Sequence, residues 1–261
     1  MARPRKRHMQ TELDLVKLDK NCQRRGGVRP GAGRKPKGKR AGAPHTKRPT
    51  LKKRFPVHVV LRVADAVGSL RKRDLYAAVR EATLAVALRE LNNREDGAFR
   101  IVHVSIQRTH VHLLVEADNR RALSNGMQRF EISAAKHINR AVTPEGAKRR
   151  RGAVFPDRFH QEIIETPRQA RHALAYVLNN WRKHREDLDS TTRRWKVDPY
   201  STGALFTGWK EREGAVFLLP WRKTYQPMVV YLPKTWLLND GWRRHGLIRY
   251  AEVPSAKQVR N

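Results

Sequence analysis

Cysteine is nearly absent, Cys22 being the only one in 261 residues. A single thiol can close no internal disulfide and build no cysteine-based zinc site, which points to a reducing compartment. Acidic residues are scarce too: 24 Asp and Glu stand against 56 Lys and Arg, for a formal net charge of +32. A surplus of that size opposes compaction by self-repulsion and calls for a polyanionic partner. No apolar run is long enough to span a bilayer, and no basic amphipathic helix with bulky apolar residues is apparent. Nucleic acid therefore fits better than a membrane. The opening MARPRKRHMQ is basic but leads into no apolar segment, the pattern of a chain that is not secreted. A cytoplasmic, nucleoid-associated protein is the expectation.

What is abundant is unevenly spread. Residues 1–55 carry 19 Lys and Arg and only three Asp and Glu. Within them, GGVRPGAGRKPKGKRAGAPHTKRP (26–49) has almost nothing to bury, so a disordered, phosphate-seeking leader is expected. Its Arg34, Lys35 and Lys37 lie in GRKPKG, which has the look of a minor-groove AT-hook, although a plain polybasic tail explains it as well. No Gly-Lys-Ser/Thr follows these glycines, so they are not a phosphate-binding P-loop.

From residue 56 the pattern turns globular. PVHVVLRV (56–63) alternates as a strand, and 69–91 repeats apolar residues at helical spacing. FRIVHVSIQ (99–107) and THVHLLVEA (109–117) are two strands joined at Arg108-Thr109. Residues 119–142 read as a second helix, weakened at Gly126, and 153–165 as a fourth strand. Thr166-Pro167 then offers an N-cap and a first-turn proline for a helix over 167–186. This order predicts an α+β fold, the ferredoxin-like split βαβ: a four-stranded antiparallel sheet with two helices on one face. An extra C-terminal helix follows, and it carries a tyrosine. Three parts are expected: the leader 1–55, a domain over 56–186, and an appended Trp- and Pro-rich segment, 187–261, packed on the core.

The chemistry lies in THVHLLVEA. Period two puts His110, His112, Leu114 and Glu116 on one strand face and Val111, Leu113 and Val115 on the other, the core face. Two imidazoles spaced this way can point at one divalent ion, or can be two tolerated polar side chains. On the helix 167–186, Ala170, Leu174, Val177, Leu178 and Trp181 form the apolar stripe, while Tyr176 falls opposite with Asn180 and Lys183. Asn180 sits one turn beyond Tyr176. A helix laid across the open sheet face can bring both to the histidines. A tyrosine hydroxyl can attack a phosphodiester and form a phosphotyrosine. An ion held by His110, His112 and the Asn180 carbonyl can polarise the phosphoryl oxygen, and with N and O ligands Mg²⁺ or Mn²⁺ is expected. Outside this set, His103 reads as structural and Glu116 as a salt-bridge residue. His160 and His172 are either channel-lining or solvated. Arg149, Arg150 and Arg151 form a solvated loop that can also clamp a DNA backbone.

THVHLLVEA followed by ALAYVLNN resembles the HUH single-tyrosine transposases, the REP-associated and IS200-like group. In that family His-hydrophobic-His on a central strand, here His110 and His112, supplies metal ligands. The nucleophile, here Tyr176, lies on a helix after the fourth strand, and Asn180 one turn later completes the metal site. The resemblance covers about 56–186 and departs at Trp181, where relatives often have proline, and in the leader and the Trp-rich segment. It implies cutting and rejoining of single-stranded DNA beside imperfect hairpins, by a monomer or a homodimer, with a divalent metal and no nucleotide hydrolysis.

Rival readings are a domesticated, non-catalytic DNA-binding protein on the same fold and an RNA-binding sheet of the RRM type. The second wants aromatics on the central strands, where only Phe99 is found. A replication initiator or relaxase shares HUH chemistry, but the short domain and lone candidate tyrosine favour the transposase group.

Overall fold

Alternation along β1 (Val57–Arg62) buries Val57, Val59 and Leu61 completely, which makes this strand a central member of its sheet. The computed structural model describes residues 48–92, 99–190, 192–212 and 225–254. Arg34, Lys35 and Lys37, and with them residues 1–47 of the leader 1–55, lie outside the described residues, as does all of AVFLLPW (215–221). After β1 come α1 (Arg73–Asn92), β2 (Phe99–Ile106), β3 (His110–Ala117), α2 (Arg120–Ala141), β4 (His160–Ile163), α3 (Pro167–Lys183) and the one-turn α4 (Trp236–Asn239). The sheet order is β2-β3-β1-β4, with every pairing antiparallel. This is the split βαβ, ferredoxin-like arrangement.

The β2–β3 link has three residues, Gln107, Arg108 and Thr109, closed by Gln107 N–H donating to the His110 carbonyl at 2.8 Å. β2 contains a register shift between Ile101 and His103. The extra residue rephases the strand, so Ile101 and Val104 face α1 and α2 while Val102 joins the core under α3.

Two apolar layers result, one on each sheet face. On one face α1 and α2 bury Leu75, Val79, Leu123, Met127, Phe130 and Ile138 against β1–β3. The Asn119 side chain caps α2 by accepting from Ala122 N–H at 2.9 Å. On the other face lies α3, fixed at its start by a Thr166/Gln169 capping box with Pro167 in the first turn.

The face expected to be open is thus covered, and the C-terminal segment covers α3 in turn. Phe206, Trp209, Leu237, Trp242 and Ile248 pack with Ala170, Leu174, Ala175 and Leu178. The segment is pinned by charge as well. Arg71 makes a fork to fully buried Asp198 (2.8 and 3.0 Å) and reaches Glu186 at 3.0 Å. Further on, Tyr231 N–H donates to the Ile101 carbonyl at 2.9 Å beside the β2 edge.

Several boundaries differ from the sequence reading. The strand expected over 153–165 is only His160–Ile163, because Pro156 removes a ladder donor within it. The first helix starts at Arg73 instead of residue 69, after Gly68 turns the chain at φ +76°. The third ends at Lys183, where Arg185 takes a left-handed φ of 56° and starts a short 3₁₀ turn, Glu186–Leu188.

Candidate active site

Side chains from two strands and one helix converge on His112. From β3 its side chain points toward α3, and it is 6 % exposed. Its Nδ1 lies 3.3 Å from Nε2 of His58 on β1, and its Nε2 lies 3.3 Å from Nδ2 of Asn180 on α3. Both ring nitrogens are therefore engaged, and the imidazole is held at a fixed orientation. Burial, and then the neighbouring His58, His110, His184 and Lys183, push its pKa well below the ordinary histidine value. The ring is thus neutral at physiological pH, the form that can ligate a metal.

His110 lies one strand pair along, half-buried, its ring centroid 6.3 Å from that of His112. Its Nδ1 is 2.8 Å from Thr109 Oγ1. Burial, then Arg62 and His184, lower its pKa too.

Tyr176 presents its ring edge-on to two of these imidazoles, with centroids 5.4 Å from His112 and 5.7 Å from His58. Lys183 Nζ is 5.2 Å from the centre of the tyrosine ring, placing positive charge beside it. Asn180 is fully buried, and its Oδ1 has no hydrogen-bond partner. An orphaned carbonyl oxygen beside a neutral imidazole is costly in an apolar setting. A half-turn of the amide brings that oxygen to the side of His112 Nε2, giving two electron-pair donors toward one point. With that turn, His110, His112 and Asn180 are the residues that could hold a divalent ion, through two imidazole nitrogens and one amide oxygen. No group of three or more His, Cys, Asp and Glu poised for a metal occurs among the described residues, so any such site depends on the amide.

The structure therefore brings His110, His112, Tyr176, Asn180 and Lys183 together, but not the basic loop. Arg149 donates to the Lys136 carbonyl and Arg150 to Asn139 Oδ1, both on α2 across the sheet. There they line a shallow basic recess with Arg151. Glu116 accepts from Arg100 at 2.9 and 3.0 Å, the salt bridge expected of it. His103 is buried, with Nδ1 3.0 Å from Thr202 Oγ1, and desolvation pushes its pKa down to about 4. His160 and His172 are exposed.

Sequence reasoning missed His58. The signal was present: in PVHVVLRV the valines at 57 and 59 fill the core face, so period two places residue 58 on the histidine face.

Residues 55–180 match the model of a family described as IS200-like transposase. Among solved structures, a REP-associated tyrosine transposase bound to a REP hairpin matches at 18 % identity and a TM-score of 0.44, over 62 % of this chain and 84 % of that one. No curated protein matches.

Proposed function

Because residues 55–180 match the IS200-like transposase family, we propose that the chain is a metal-dependent strand transferase of that family. It cuts and rejoins single-stranded DNA beside imperfect hairpins, with Tyr176 as nucleophile. The observation that carries this reading is the placement of Tyr176 against His112, whose Nε2 meets Asn180 one turn further along the same helix.

In the proposed reaction the Tyr176 oxygen attacks phosphorus and the bond to the 3′-oxygen breaks. The phenolic proton is lost and the leaving 3′-oxygen gains one. The products are a 5′-phosphotyrosine and a free 3′-hydroxyl. Attack by another 3′-hydroxyl reverses the step, conserving the phosphodiester, so no nucleotide need be hydrolysed. Mg²⁺ or Mn²⁺ on His110, His112 and Asn180 would polarise a phosphoryl oxygen and offset charge in the transition state. His58 holds the far nitrogen of His112. Lys183 supplies positive charge where the tyrosine must lose its proton. Arg149, Arg150 and Arg151, on the far side of the sheet, serve as hairpin-backbone contacts, and the leader's Arg34, Lys35 and Lys37 as further phosphate contacts.

The test uses labelled single-stranded hairpins from the gene's own flanks, with Mn²⁺ or EDTA, resolved on denaturing gels. Wild type should form a Mn²⁺-dependent protein–DNA adduct, and Tyr176→Phe should bind hairpin without forming it. Hairpin binding with no adduct from wild type on any flank would instead favour a non-catalytic DNA-binding protein.

A further inference from the structure

The family match ends at residue 180, yet the fold continues into a segment that sets out one aromatic side chain toward solvent. Of the tryptophans among the described residues, Trp181, Trp209 and Trp242 are buried and Trp195 is half-buried, but Trp236 is 48 % exposed. Its surroundings are cationic. The Arg244 guanidinium lies 4.8 Å from the indole centre, and Lys234, Arg243 and His245 are exposed nearby in sequence, against the single carboxylate of Asp240.

This indole is also held in place. The Glu116 carboxylate, fully buried and bound to Arg100, accepts from the backbone N–H of Lys234 (3.0 Å) and of Thr235 (2.7 Å), the two residues before Trp236. The ring also lies against Gly241, where an added Cβ would stand 2.8 Å from the ring edge. A fixed, exposed aromatic ring among cations is the arrangement that stacks bases of single-stranded nucleic acid, whose phosphates the cations then neutralise.

The anchor also sets a distance. Glu116 and His110 lie on the same face of β3, six residues apart, or about 20 Å at ~3.4 Å per residue. A stacked single strand at ~3.4 Å per nucleotide covers that span in about six nucleotides.

We propose that Trp236, with Lys234 and Arg244, is a stacking platform for single-stranded DNA about six or more nucleotides from the strand position held at His110 and His112. The distance rests on the function proposed above, whereas the platform itself does not.

The two are separated by measuring binding in EDTA, in a Tyr176→Phe background, by fluorescence anisotropy of hairpin oligonucleotides carrying unpaired flanks of 3 or 12 nucleotides. Trp236→Ala should weaken binding of the long-flank DNA about 5- to 150-fold, the range of one lost base stack, and leave the short-flank DNA unchanged. Trp236→Phe should retain most of the affinity. Lys234→Ala with Arg244→Ala should flatten the salt dependence with the long flank by about 1.4, at ~0.7 per phosphate. As a readout that needs no variant, ultraviolet crosslinking of a 5-iodouracil-substituted long flank should label the peptide containing Trp236. Equal loss on both flanks, no loss on either, a loss seen only with RNA flanks, or no crosslink at Trp236 would overturn the platform. Loss confined to the long flank, together with a wild-type chain that forms no tyrosine adduct in Mn²⁺, would keep the platform and sink the strand-transfer reading.

Discussion

Gly126 sits inside α2, where a glycine costs helix stability, and replacing it with alanine gains about 1 kcal/mol of propensity. The structure predicts the opposite net effect. An added Cβ would lie 2.1 Å from Phe99 Cγ and 2.3 and 2.6 Å from the two Cδ atoms. Cγ is the root of the ring, so turning the ring about its own axis does not relieve the contact, and Phe99 is 1 % exposed, so swinging it about χ1 drives it into packed core. Overpacking of this kind costs ~1–3 kcal/mol, and contacts this short belong at the upper end. Gly126→Ala should therefore destabilise by about 2 kcal/mol after the helix gain. At ~2–4 °C per kcal/mol for a domain of this size, that lowers Tm by about 4–8 °C in a thermal melt followed by circular dichroism. In a Phe99→Ala background Cγ and the ring are both gone, and the same substitution should become neutral or stabilising. A Gly126→Ala protein that melts at or above the wild-type temperature would refute the packing argument.

Other consequences are as direct. Neutral, buried His103 has its pKa lowered to about 4 from an ordinary 6.5. Its contribution to stability is therefore complete above pH 6.5 and is lost as pH falls from there toward 4, on the order of 3 kcal/mol. Urea unfolding of His103→Gln should show a slope of stability against pH shallower by up to one proton over that window, and an unchanged slope would contradict the assignment. Removing the Asp198 carboxylate leaves a buried Arg71 fork half-paired, so Asp198→Ala should cost about 3–5 kcal/mol in chemical denaturation. A loss under 1 kcal/mol would mean that the C-terminal segment is not integral to the fold.

What was legible in the sequence was local. The valine and leucine alternation in VHLLVEA marks β3 and sends His110 and His112 to one face. The 3.6-residue period of 167–186 sets Tyr176 and Asn180 one turn apart, and the strand and helix order specifies the split βαβ sheet. What stayed hidden depends on distant partners. The bulge at Val102 leaves no mark in an apolar run, because either phase of FRIVHVSI can be buried. Asn180 reads as a polar-stripe residue but is fully buried, since α3 lies between the sheet and a segment whose Trp and Pro spacing has no period. Arg71 and Asp198 give no sequence hint that they pair across most of the domain. The weakness read at Gly126 has its reason in a phenylalanine 27 positions earlier.

The central claim is that Tyr176 forms the covalent bond to DNA. The most direct measurement is peptide mass spectrometry of the wild-type protein after reaction with a hairpin substrate in Mn²⁺ and exhaustive nuclease digestion. The account predicts a nucleotide phosphate on the peptide containing Tyr176, absent in EDTA. A nucleotide on Tyr76, Tyr200 or any other side chain, or none after demonstrated strand cleavage, would contradict it.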